Sequence, residues 1–154
     1  MDRESYIRAS YVPGQRPTPK TVAIWCPYYA QMWGPEDPEA KGTGGSEEAA
    51  VHLSRALVEQ GYDVTVFAPL PAPFDTPLRV SHGVVWRELR AFDPAIPFDH
   101  LIFHRAPSMP QTALFASKHF WTWHHDHFYS EDYWNKWTVP ATRHLYVSRW
   151  QRRV

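Results

Sequence analysis

GGSEEAAVHLSRALVEQGYDVTVFA, residues 44–68, decides the fold. A glycine pair is followed by Ser46, which can cap a helix, and by Ala50, Leu53 and Leu57 at helical spacing. Gly61 then supplies the left-handed residue that ends such a helix, and Val64, Val66 and Phe67 in residues 63–68 give a strand. Upstream, residues 21–26 hold the short apolar run Val22-Ala23-Ile24-Trp25, stopped by Pro27, as a buried parallel strand requires. Strand, glycine loop, helix and strand form one βαβ unit, whose crossover is right-handed.

Downstream, strand and helix keep alternating. Residues 69–77 contain four prolines and form a loop, and residues 78–89 are expected to make a hairpin or an irregular strand around His82-Gly83. Residues 99–104 read as a buried strand, 111–119 as a short helix and 120–125 as the next strand. A helix is expected over 130–137, headed by Ser130, Glu131 and Asp132, and a last strand over 143–147. The expected fold is α/β, a Rossmann-like, doubly wound, mostly parallel sheet. Residues 1–20, polar and broken by Pro13, Gly14, Pro17 and Pro19, are expected to be a flexible arm outside the domain spanning 21–154. A helix starting at Ser148 has few residues before Val154, so a longer chain or a second chain is expected to complete it.

Composition bounds the function classes. With 44% hydrophobic and 21% charged residues, the 154-residue chain has the makeup of one globular domain. Sixteen basic residues balance sixteen acidic ones, which gives no global reason to expect nucleic acid as a partner. Cys26 is the single cysteine, so no intrachain disulfide is possible. No apolar run reaches the roughly 18 residues of a spanning helix, and the first residues lack a signal-peptide core. A cytoplasmic location without a transmembrane segment is the expectation. Five of the eight tryptophans fall between Trp121 and Trp150, and their first assignment is to a core or an interface rather than to sugar stacking.

Two constellations carry chemistry. In Lys41-Gly42-Thr43-Gly44-Gly45-Ser46-Glu47, glycines permit close backbone approach to an anion, and the helix start adds free N–H groups and a favourable dipole. The spacing fits neither a P-loop nor a dinucleotide fingerprint. Glu47 and Glu48 would repel a phosphate there, which gives them the alternative task of holding the loop or meeting sugar hydroxyls. The second constellation is Trp121-Thr122-Trp123-His124-His125-Asp126-His127, a strand end opening into a loop. In open α/β sheets ligands gather at the carboxyl ends of strands, so both groups belong on one rim. Alternation sends His124 and Asp126 to one side, and His125 and His127 to the other. The histidines and Asp126 suit an acid–base or orienting pair, a metal site with His104, His119 and His144 as further ligands, or plain loop polarity.

Together these residues resemble the N-terminal domain of family 4 glycosyltransferases of the GT-B type. The resemblance rests on Gly44-Gly45-Ser46-Glu47, the helix to Leu57, Gly61-Tyr62-Asp63-Val64, His125-Asp126, and Leu145-Tyr146-Val147-Ser148-Arg149. It spans about residue 22 to the C-terminus. It implies one half of a GT-B architecture, which receives the acceptor while a C-terminal donor domain lies outside this sequence. By the same resemblance, His125 and Asp126 are catalytic. Gly44, Gly45, Ser46, Glu47 and His124 meet the donor phosphate or substrate, and neither a metal nor another cofactor is needed. The implied partners are a nucleotide sugar donor, an acceptor (glycan, lipid or small molecule) and the missing donor domain, with a tilt toward retention. Two other classes compete: a non-catalytic module binding glycan or phosphate, and a metal-dependent hydrolase built on His124, His125 and Asp126.

Overall fold

The computed structural model describes residues 20–27, 31–36, 44–71, 79–105, 115–117, 119–125 and 143–146. Its centre is β1 (Thr21–Trp25), flanked by β2 (Asp63–Ala68) and β5 (His100–His104). Outside β2 lie β4 (Val84–Glu88) and β3 (Arg79–Ser81), and outside β5 lie β6 (His119–His124) and β7 (Arg143–Tyr146). The sheet order is β3-β4-β2-β1-β5-β6-β7, and every pairing is parallel except β3 with β4. The chain builds outward from β1 through β2 and β4, then returns to the other side of β1 to add β5, β6 and β7. This is the strand order of a Rossmann-like, doubly wound sheet, with its switch point between β1 and β5.

Alternation along β1 sorts its side chains onto two cores. Val22, Ile24 and Cys26 join Val64, Val66, Val84, Trp86 and Ile102 beneath the helix α1 (Gly45–Glu59). Ala23 faces the other way with Phe67, Leu89, Leu101 and Phe103, where Phe92, Phe98, Phe115 and Phe120 pack on. Phenylalanine rings fill this second core, with Phe67 and Phe92 at 5.2 Å and Phe103 and Phe115 at 5.4 Å. Each large side chain buried in this way contributes about 1.5–3 kcal/mol. At the other end of the sheet, Asp99 ties β5 to β1. Its carboxylate accepts from the Thr21 backbone N–H at 2.9 Å, and its own N–H donates to the Thr21 hydroxyl at 3.0 Å.

The helix α1 buries Ala50, Val51 and Ser54 on its sheet-facing side, with Leu53, Leu57 and Val58 at the margin. Gly61 ends it as expected. With φ at +84°, its N–H reaches the Val58 carbonyl, and the Tyr62 N–H reaches Leu57, closing the last turn. The start differs from expectation. The helix begins at Gly45 with Gly44 in the capping position, and no side chain caps it. Ser46 lies inside the first turn, where its hydroxyl donates to the Glu47 carboxylate at 2.7 Å. With the helix starting one residue earlier, at Gly45, Ser46 is past the position from which a hydroxyl accepts from the free N–H groups of the first turn.

Residues 79–88 form a hairpin whose two-residue turn, His82-Gly83, has positive φ at both positions (51° and 76°). That geometry matches the twist of the strands it joins. His119, expected at the end of a helix, instead opens β6 in register with His100, and residues 115–117 are not helical. Parallel pairing with β5 claims His119, and Ser117 is held from the side when its hydroxyl accepts from the Phe98 N–H at 3.3 Å. β6 closes at His124, one residue before the expected strand end at His125. Residues 111–114 and the expected helix over 130–137 lie outside the described residues, as do the arm over 1–19, Val147 and the tail from Ser148. Among the described residues, no helix is long and apolar enough to cross a membrane.

Candidate functional site

The carboxyl ends of β1 and β5 meet where the strand order reverses. Three elements converge there: Cys26 after β1, His104 and Arg105 at the end of β5, and the first turn of α1. β5 ends sharply. Arg105 has φ at +52°, an uncommon conformation for a side-chain-bearing residue, and its N–H donates to the Trp123 carbonyl on β6 at 3.1 Å. Its side chain turns toward α1.

The Arg105 Nη1 donates to the Ser46 hydroxyl at 2.9 Å and lies 3.4 Å from Glu47 Oε1. Ser46 donates onward to Glu47 Oε2, so Arg105, Ser46 and Glu47 form a closed circuit. Glu47 is 5% exposed, which makes this a buried ion pair rather than a surface contact. Glu47 therefore ties the first turn of α1 to the end of β5. Gly44 is bound to the same circuit, because a Cβ at that position would overlap the Glu47 carboxylate, whereas one at Gly45 would meet open space. Gly44→Ala is accordingly expected to destabilise the protein by about 1–2 kcal/mol through overpacking, with Gly45→Ala within about 0.5 kcal/mol of wild type. Urea unfolding of the two variants checks this. Equal midpoints would show that the Glu47 carboxylate yields freely.

His104 joins the circuit from the sheet. Its Nε2 lies 2.9 Å from the Ser46 carbonyl, and a carbonyl only accepts, so Nε2 carries the proton and Nδ1 is a bare acceptor. Nδ1 is buried with no hydrogen-bond partner among the described residues. Burial pushes the His104 pKa down to about 3, helped by the neighbouring His125 and Arg105 and opposed by the Ser46 hydrogen bond. The ring is neutral at neutral pH. His125 packs against it with centroids 4.6 Å apart, and against Trp123 at 4.5 Å.

The structure therefore brings together most of the residues assigned from sequence. Gly44, Gly45, Ser46 and Glu47 share one rim with His125, and His104 is the bridge between them. Asp126 lies outside the described residues. His124 goes elsewhere. It follows Phe120 and Thr122 in alternation onto the sheet face opposite α1, where its Nε2 lies 3.1 Å from His144 Nδ1 and its ring stacks on Tyr146 at 5.1 Å. Burial, then His144 and His125, lower its pKa to about 4.

The three histidines named as extra metal ligands are dispersed. His104 is on the rim, His144 is with His124 on the opposite face, and His119 stacks on His100 at the far end of the sheet, 5.2 Å between centroids. Among the described residues, no group of three or more His, Cys, Asp or Glu side chains is placed to hold a metal ion. Cys26 is buried, and burial followed by the Glu47 charge pushes its thiol far up, away from the thiolate form. Arg105 is the residue sequence reasoning missed. Its signal was position: a charged residue directly after a buried strand belongs to the ligand-facing rim of such a sheet.

Neither a protein family, nor a curated protein, nor a solved structure matches the chain.

Proposed function

We propose that this chain is the acceptor-side half of a GT-B-type glycosyltransferase, moving a sugar from a nucleotide diphosphate sugar to an acceptor hydroxyl. One observation carries the reading. The Gly44-Gly45 start of α1 and His125 occupy the same carboxyl-end rim, at the point where the strand order reverses. In this reading the exposed glycines admit the donor's phosphate end, and His125 with Asp126 meets the transferring sugar. Positioning and electrostatic stabilisation of the leaving diphosphate supply the rate, without a metal or other cofactor. A second, donor-holding domain closes the cleft and excludes water.

The buried Glu47–Arg105 pair favours a second reading, a non-catalytic module for glycans, because Glu47 brings negative charge to the helix end that a phosphate would use. One experiment separates the two. The chain is mixed with labelled UDP-glucose or GDP-mannose, alone and with a candidate donor domain, and free and transferred sugar are measured. Transfer or hydrolysis in the mixture supports the transferase. Binding of free oligosaccharide with no turnover in any mixture selects the module, and no binding of either class sinks both.

A further inference from the structure

We propose that His104 is a positioning residue, a strut that holds the first turn of α1 and the His125 ring in one fixed relation. It rests on the reading that the Gly44-Gly45 turn and His125 serve one ligand. His104 is only 1% exposed and sits at the end of β5, in the strand next to the switch point. Its two functions lie on different parts of the ring. Nε2–H donates to the Ser46 carbonyl at 2.9 Å, gripping a residue whose hydroxyl and neighbour Glu47 are already fixed by Arg105. The ring itself meets His125 at an interplanar angle of 62° and Trp123 at 75°, an edge-to-face wedge that sets where the His125 imidazole lies. A residue that only filled the core would need no donor aimed at a helix carbonyl, and a residue that only capped a carbonyl would need no ring. Held in this way, the glycine turn cannot move relative to His125 without breaking a buried hydrogen bond or opening a packed contact.

Two substitutions divide the strut. His104→Phe keeps the wedge and removes the donor, whereas His104→Gln keeps an amide donor within reach of Ser46 and removes the ring. Both are made in the full 154-residue chain, and the readouts need no substrate: hydrogen exchange at the Glu48 amide, whose bond to the Gly44 carbonyl closes the first turn, and the imidazole NMR signal of His125. His104→Phe is expected to speed Glu48 exchange about tenfold and leave the His125 signal in place. His104→Gln is expected to do the reverse. If each variant moves both readouts equally, or neither, His104 is packing alone and the proposal is overturned. Where a variant fails to fold, the wild-type imidazole nitrogen spectrum decides, because a His104 protonated at Nδ1 rather than Nε2 has no bond to Ser46 to give. Failure of sugar transfer leaves these outcomes untouched, so the strut and the glycosyltransferase reading fail separately.

Discussion

Replacing Arg105 by Met lowers the free energy of unfolding by about 3 kcal/mol, the cost of stranding a buried carboxylate. Glu47 is 5% exposed, and of its two oxygens one is served by Ser46 and the other faces Arg105. Methionine retains much of the apolar stem and occupies the same φ of +52° as arginine, so neither packing nor backbone strain accounts for the difference. The charge does. Glu47→Gln in the Arg105→Met background restores part of the loss, since an amide is cheaper to bury than an unpaired carboxylate. A double-mutant cycle in urea measures the coupling between the two residues. An Arg105→Met protein with wild-type stability would mean that the pair contributes nothing and that the rim is held by other contacts. Loss of stability with an unchanged His125 environment would show that the circuit and the His104–His125 contact act independently.

Acidification from pH 6.5 toward pH 4 removes stability, and His104 is the main cause. Its pKa is about 3 in the folded protein against an ordinary 6.5, so between these values the unfolded chain binds a proton that the folded one refuses. Stability is then complete above pH 6.5 and falls as pH drops toward the folded value, by about 1.4 kcal/mol per pH unit for this one residue. His124, lowered to about 4 by burial beside His144, acts in the same direction over the same window. Urea midpoints at pH 7.5, 6.5, 5.5 and 4.5 trace the effect, and His104→Gln, which cannot titrate, flattens the curve. A wild-type midpoint that stays constant across this range would show that these rings take up protons in the fold as readily as in the unfolded chain. The rest of the rim's geometry would then need revision, because a protonated His104 cannot lie beside Arg105 and His125 without cost.

The apolar runs 21–26 and 63–68, the spacing of Ala50, Leu53 and Leu57 and the stop at Gly61 determined the βαβ unit, because period and turn chemistry are local properties. The same locality explains the success with the hairpin at His82-Gly83, where two residues set the turn. It also explains the error at His119. Nothing within a few residues tells whether His119 ends a helix or opens the strand already expected from residue 120, because its partner His100 is distant in the chain. The shared rim of Gly44, Gly45 and His125 followed from a topological rule, and in the fold His104 touches both sides of it. Its contents did not follow. Arg105, the burial of Glu47 and the strut at His104 arise from side chains 58 and 59 residues apart in the chain, which only the folded sheet brings within hydrogen-bonding distance. His124 shows the same limit, since its alternation from His125 was readable but its partners on β7 were not. Sequence determined the βαβ unit and which end of the sheet gathers the glycine turn and His125. Tertiary structure alone decided which charges meet there, because burial and pairing depend on neighbours that chain order does not specify.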